Sequence, residues 1–241
     1  MTVSEVIWSP KYIILNYYHL STIIIFDMVR WGMVIDLKRC SGCMTCVASC
    51  KLGNSLPPGI YFTKVFDYEV GEYPNVSRRY LPSLCMHCED PPCRDVCPTG
   101  ATYVRDDGIV LIDYDKCIGC RYCMMACPYD SRSFYDRERM YFYDGGLMMV
   151  EEIGYRKYQV GTVMKCTFCV DRIDEGLKKG LRPGIDPEAT PLCVVSCICN
   201  ARIFGDLDDP ESEVNRLIRE RRGYTLLPDV GTRPRVYYLP P

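Results

Sequence analysis

The sequence predicts an α+β fold in which two similar cysteine-rich units are nested, one inserted in the other, with irregular loop-rich additions. Three observations carry that expectation. The 17 cysteines of the 241-residue chain fall into four groups of four, with Cys199 left over. Short apolar runs of strand character, Gly32 to Asp36 and Gly108 to Asp113, lead into the first and third groups. Turn-forming residues separate these runs from their neighbours, as Asp106, Asp107 and Gly108 do after Thr102, Tyr103 and Val104.

Composition bounds the answer. A chain that is 48% hydrophobic and 25% charged is an ordinary globular sequence with enough apolar residues for a sizeable core. Lys plus Arg is 29 and Asp plus Glu is 31, so the net charge is −2 and no basic surplus points to nucleic acid. At this length a core does not need disulfides, so the abundance of cysteine points to ligand binding.

In chain order, residues 1–29 form an N-terminal extension. Its stretch 12–26 is apolar in patches, interrupted by Asn16 and His19 and ended by Asp27. That is short of the ~20 residues a membrane helix needs. It carries neither a twin-arginine pair nor a small-residue cleavage site. The extension reads either as upstream sequence with Met28 as the start or as a docking segment. Residues 30–84 are the first half of an outer unit with its linker, carrying Cys40, Cys43, Cys46 and Cys50. Residues 85–130 are an inner unit, carrying Cys85, Cys88, Cys93 and Cys97 and then Cys117, Cys120, Cys123 and Cys127. Residues 131–163, rich in tyrosine and charge, are an insertion covering the core. Residues 164–209 complete the outer unit with Cys166, Cys169, Cys193 and Cys197. Residues 210–241 hold a helix and an extended, proline-rich tail, an arm on a partner or a loose terminus. Asp209 is expected to cap the helix, Val214, Leu217 and Ile218 to form its apolar face, and Gly223 to stop it.

The first and third groups share the spacing C-x2-C-x2-C-x3-C, by which bacterial ferredoxins hold 4Fe–4S clusters. Three cysteines two residues apart wrap a short loop around one face of a cubane. The fourth is carried off by the following helix, and in two-cluster ferredoxins it ligates the other cluster. Gly42 and Gly119 sit inside these loops, where glycine permits positive φ. Arg39, Lys116 and Lys165 each precede the first cysteine of a group; they serve either as cations beside an anionic cluster or as solvated surface charges. His87, between two cysteines, is either a hydrogen-bond donor to a sulfide or a surface histidine. Zinc is the alternative cofactor: the fourth group alone resembles a zinc ribbon, whereas three cysteines at successive x2 spacings do not.

The stretches Arg30 to Cys43, Cys85 to Cys93, Cys97 to Ala101, Lys165 to Arg172 and Ala201 to Pro210 resemble the four-cluster iron–sulfur subunit of the DMSO-reductase superfamily of molybdenum or tungsten enzymes. The resemblance implies a non-catalytic subunit with four 4Fe–4S clusters. It would relay electrons between a molybdopterin catalytic subunit and an integral membrane anchor subunit or another carrier. It implies the ligand sets Cys40, Cys43, Cys46 and Cys197; Cys166, Cys169, Cys193 and Cys50; Cys85, Cys88, Cys93 and Cys127; and Cys117, Cys120, Cys123 and Cys97. One departure stands out: the family's Cys-Pro after the fourth group is here Cys197, Ile198 and Cys199. The repeated C-x3-C spacing selects Cys197 and leaves Cys199 as a free, buried thiol. The resemblance also implies a peripheral location at the membrane through partner subunits, either exported with a twin-arginine-bearing partner or cytoplasmic. No Walker, G-x-S-x-G or C-x-x-C-H motif competes. A stand-alone polyferredoxin carrier and a zinc-stabilised interaction module are the other readings.

Overall fold

The computed structural model describes residues 8–9, 12–17, 20–25, 29–142 and 145–241. The candidate start at Met28 lies outside them. In the extension, β1 (Trp8–Ser9), β2 (Tyr12–Tyr17) and β3 (Leu20–Ile25) pair antiparallel in that order. Among the described residues no helix is long and apolar enough to cross a membrane.

The fold is mixed α and β, with short elements strung between the cysteine loops. β4 (Trp31–Asp36) leads into the first loop and α1 (Thr45–Gly53) leaves it. β5 (Thr63–Glu72) and β6 (Asn75–Leu84) form a long antiparallel hairpin. The second and third groups hold α2 (Pro92–Asp95), the hairpin β7 (Thr102–Val104) and β8 (Val110–Ile112), and α3 (Tyr122–Met125). β9 (Arg132–Tyr135), α4 (Met149–Lys157) and β10 (Thr162–Lys165) follow, with β9 and β10 antiparallel. α5 (Val170–Lys178) follows Cys169, α6 (Leu192–Val195) carries Cys193, and β11 (Arg202–Asp206), α7 (Glu213–Glu220) and β12 (Val236–Leu239) end the chain.

β4 is the central strand, buried on both faces. It pairs antiparallel with β11 on one side and parallel with β12 on the other. Strand alternation splits its residues between two cores. Trp31, Met33 and Ile35 face the large core, where Trp31 stacks on Phe204 at 5.5 Å. Val34 faces a smaller core with Val214 of α7 and Leu239 of β12. The β4–β11 pairing joins the run before the first cysteine group to the run after the fourth.

Three details of the C-terminal region differ from the sequence reading. The cap of α7 is Ser212, whose Oγ accepts from the Asn215 N–H at 3.4 Å, not Asp209. Asp209 instead closes a turn onto the Glu211 N–H at 2.9 Å. At the other end Arg222, not Gly223, takes the left-handed conformation, with φ 52°, and the Gly223 N–H closes the turn onto the Ile218 carbonyl. The tail is neither an arm nor loose. Val236, Tyr238 and Leu239 are fully buried, and the Tyr238 hydroxyl donates to the Pro82 carbonyl at 2.8 Å. A strand at the very end of a chain is hard to read from sequence, because its pairing partner lies some 200 residues away at β4.

Tyr238→Ala is therefore expected to destabilise the protein by about 3–5 kcal/mol, as large aromatic truncations in a core do. Tyr237→Ala, half-buried on the opposite strand face, is expected to cost far less. The ranking is checked by the urea concentration at which each anaerobic protein bleaches.

Candidate metal-cluster sites

The cysteine loops share one backbone device. The residue just before the second cysteine has positive φ in all four: Gly42 at 68°, His87 at 43°, Gly119 at 67° and Phe168 at 53°. The reversal turns successive sulfurs toward a common point. At Gly42 and Gly119 a Cβ would also collide, with the Tyr80 ring at 2.3 Å and the Gly161 carbonyl oxygen at 2.0 Å respectively. At the other two loops a side chain tolerates the strained backbone because packing holds it. His87 and Phe168 stack on each other, ring centroids 3.8 Å apart, and both are buried. His87 is thus no surface residue.

The sulfurs gather around four places. Site A is a cavity lined by Cys40, Cys43, Cys46, Cys197 and Cys199, with Ser41, Gly42 and Arg202. Site D is a cavity lined by Cys97, Cys117, Cys120 and Cys123, with Arg121 and Arg132. Site C is lined by Cys85, Cys88, Cys93 and Cys127, again with Arg132. At site B, the Asn54 side chain donates to Cys50 Sγ at 3.5 Å and approaches Cys169 Sγ at 4.0 Å, while Cys166 and Cys193 are buried beside them. Burial pushes the Cys50, Cys166, Cys169 and Cys193 thiols up, and their mutual proximity adds to it for Cys50, Cys166 and Cys193. Burial likewise pushes Cys88 up to about 12. Sulfurs packed this way are thiolates only if a strongly positive core sits among them.

Helical geometry explains the exchange between groups. Cys46 and Cys50 lie on α1, four residues apart, so about 6 Å separates them along the axis. Cys46 lines site A, and Cys50 belongs to site B. Cys93 and Cys97, Cys123 and Cys127, and Cys193 and Cys197 are divided in the same way by α2, α3 and α6.

Donors converge on the sulfurs. The Ala201 N–H reaches Cys197 Sγ at 3.2 Å, the Phe168 N–H reaches Cys166 Sγ at 3.4 Å, and Arg132 Nη2 reaches Cys93 Sγ at 2.8 Å. Arg202 Nη1 and His87 Nε2 are buried polar atoms with no protein partner. The His87 Nδ1 accepts from the Val110 N–H at 3.1 Å, which leaves the proton on Nε2. Burial holds this histidine well below its usual range, and Lys165, Arg235 and Arg132 act in the same direction, so it stays neutral. Among the described residues no three His, Cys, Asp or Glu side chains are placed to hold a single metal ion. A tetrahedral zinc site needs such convergence, with Zn–S near 2.3 Å; a cubane cluster holds its sulfurs farther apart. The donor set and the orphaned donors fit the cluster.

The cations before the cysteine groups are of two kinds. The Arg39 and Lys116 side chains are 57% and 64% exposed and pair with Asp36 and Asp113. Lys165 is 2% exposed, and its Nζ donates to the Val110 carbonyl and, at 2.7 Å, to the Cys166 carbonyl. Sequence reasoning passed over Arg132 and Arg202, which stand close after the third and fourth groups. A signal existed: each lies on the strand that follows its cysteine group. Cys199 is half-buried, not buried, and its Sγ lies 3.1 Å from the Ser41 hydroxyl at the rim of site A. Tyrosines of the 131–163 segment serve as packing: the Tyr158 hydroxyl donates to the Asn54 carbonyl and the Tyr141 hydroxyl to the Leu56 carbonyl, both at 3.0 Å.

Comparison with known proteins agrees with this chemistry. A family model described as a 4Fe-4S dicluster domain matches residues 76–142, the stretch that holds the second and third groups. The chain is 43% identical over 227 residues to a subunit of the selenate reductase of Mesobacillus selenatarsenatis, covering 88% of this chain and 72% of that one. It is 41% identical over 229 residues to a subunit of the sulfite dehydrogenase of Allochromatium vinosum, covering 88% and 84%. It is 37% identical over 237 residues to the iron–sulfur subunit of the arsenate respiratory reductase of a Shewanella species, covering 88% and 96%.

Cys197 and Cys199 both line site A, and substitution separates them. Cys197→Ser is expected to lose or convert one cluster, and Cys199→Ser to leave every cluster intact. EPR of the reduced variants checks this; the reverse pattern would make Cys199 the ligand.

Proposed function

We propose, for a chain that belongs to the family of iron–sulfur subunits of the DMSO-reductase superfamily of molybdopterin oxidoreductases, a relay of four 4Fe–4S clusters, one at each of sites A to D. The chain is the electron-transfer subunit of an oxidoreductase complex. The observation that carries the four-cluster reading is the exchange of fourth cysteines. Cys197 lines the cavity of the first group, Cys97 that of the third and Cys127 that of the second. Cys50 stands with Cys169 beside Asn54. The ligand sets are then Cys40, Cys43, Cys46 and Cys197 at A, Cys166, Cys169, Cys193 and Cys50 at B, Cys85, Cys88, Cys93 and Cys127 at C, and Cys117, Cys120, Cys123 and Cys97 at D.

The two nested units follow from the same assignment. Residues 30–84 with 164–209 make the outer unit, and 85–130 the inner one, with 131–163 as the covering insertion. The β4–β11 pairing supports this, since it closes the outer unit across the inner one.

Each bound cluster supplies a one-electron carrier. The protein's part is to line the carriers up, keep water from the middle ones and expose the ends. Cys43 at site A and Cys120 at site D are exposed, whereas sites B and C are lined largely by buried cysteines. That arrangement suits entry at one end and exit at the other. The relatives are named as subunits of reductases and of a dehydrogenase, so the direction of flow belongs to the partner. We assign the partners as a molybdopterin catalytic subunit, with molybdenum or tungsten, and an integral membrane anchor, and the chain's place as peripheral through them. No substrate chemistry is assigned to this chain.

Anaerobically prepared protein is expected to contain about 16 iron atoms, four per cluster. Half that iron, or stoichiometric zinc, would overturn the four-cluster reading. Tagged protein from its native host is expected to bring down a larger subunit containing molybdenum or tungsten. Recovery of the chain alone with its full iron complement would favour a free carrier.

A further inference from the structure

Three buried cations stand in the chain at related places. Arg202, the first residue of β11, is 4% exposed. Its Nη2 donates to the Thr63 hydroxyl at 2.8 Å, and its Nη1 has no protein partner. It lines site A, and its charge opposes the burial that raises the thiols of Cys46 at site A and Cys193 at site B. Arg132, the first residue of β9, is also 4% exposed. Its Nη1 donates to the Thr102 hydroxyl at 3.2 Å and its Nη2 to Cys93 Sγ at 2.8 Å. It lines both site C and site D.

The two arginines are structural counterparts. Thr63 and Thr102 are the first residues of β5 and β7, the strands that follow the first and second groups. Arg202 and Arg132 open the strands that follow the fourth and third. Arg202, fixed by Thr63, thus stands between the two sites of the outer unit, and Arg132, two residues beyond the end of the inner unit, is fixed by Thr102 between that unit's two sites. Lys165 fills the remaining gap. It immediately precedes Cys166 of site B, and donates to the carbonyl of Cys166 and to that of Val110, a residue that lines site C. No carboxylate pairs with Arg202, Arg132 or Lys165 among the described residues, in contrast to the many surface arginines that do pair. A charge buried without an anionic partner is costly. Site chemistry supplies the missing anion: four thiolates around an iron–sulfur core carry net negative charge, and one charge more after reduction.

We propose that Arg202, Lys165 and Arg132 form a ladder of fixed positive charge, one rung between each neighbouring pair of sites, and that each rung raises the reduction potentials of the two clusters beside it. The proposal rests on the four-cluster assignment above. The rungs are positioning residues: they ligate nothing and set the energy of an electron on either side. A shared cation also ties neighbours together, so that removing one rung alters two clusters and spares the other two.

The test is an EPR-monitored redox titration of the full chain, prepared anaerobically. Iron content of the parent protein is read first; fewer than four clusters there is a failure of the functional reading, not of the ladder. With four clusters present, Arg202→Gln is expected to make reduction of the clusters at A and B about tenfold less favourable, which is ~59 mV for a one-electron couple. Arg132→Gln is expected to shift C and D, and Lys165→Met to shift B and C. Potentials that stay put, or that move equally at all four clusters, overturn the proposal. If a neutral variant loses iron, the charge-keeping Arg132→Lys and Arg202→Lys decide. Four clusters at parental potentials in those variants support the charge role. Lowered potentials or renewed loss of iron show a role in assembly alone and overturn it.

Discussion

A thiolate is a poor guest in a protein interior, and this chain gathers sulfurs where water is scarce. Cys50, Cys166 and Cys193 are all buried, and burial raises each thiol. Sulfurs so placed are stable as thiolates only around a multiply positive core, with further positive charge and N–H donors close by. Much else in the fold serves that requirement. It explains why arginines are threaded into the interior and why backbone N–H groups point at Cys166 and Cys197.

Meeting the requirement at four places uses repeated short devices rather than long elements. A left-handed residue reverses the chain inside every cysteine loop, and a single helical turn or two then moves the last cysteine to the next site. Helices of four residues have too little apolar face to build a core of their own. The packing is therefore supplied by strands: β4 with its two neighbours and the aromatic stack of His87 on Phe168. That stack joins the second loop to the fourth, and Val110 stitches β8 to both. Its N–H bonds His87 and its carbonyl accepts from Lys165. Rigidity at this junction holds sites B and C in a fixed relation, which a relay of electrons needs.

The sequence by itself determined the chemistry. Cysteine spacing depends only on local backbone reach, so the four groups, the iron–sulfur assignment over zinc and the glycines of the first and third loops were legible residue by residue. The hairpin at Asp106 to Gly108 was legible for the same reason, since a turn is specified by its own residues. Tertiary structure alone decided what depends on burial. Arg39, Lys116 and Lys165 occupy the same sequence position, yet only the last is enclosed, with its Nζ held by the carbonyl of Val110 in β8, and nothing local to the lysine says so. Arg132 and Arg202 look like any arginine at a strand start until Thr102, Thr63 and the sulfurs surround them. For His87 the sequence leaves a sulfide donor and a surface residue open, and only the stacking of Phe168, 81 positions on, excludes the second. The proline-rich tail reads from sequence as an arm on a partner or a loose terminus, and only the pairing of Val236 to Leu239 along β4 shows otherwise. Local geometry is written in neighbouring residues, whereas burial and long-range pairing are properties of the whole packed chain.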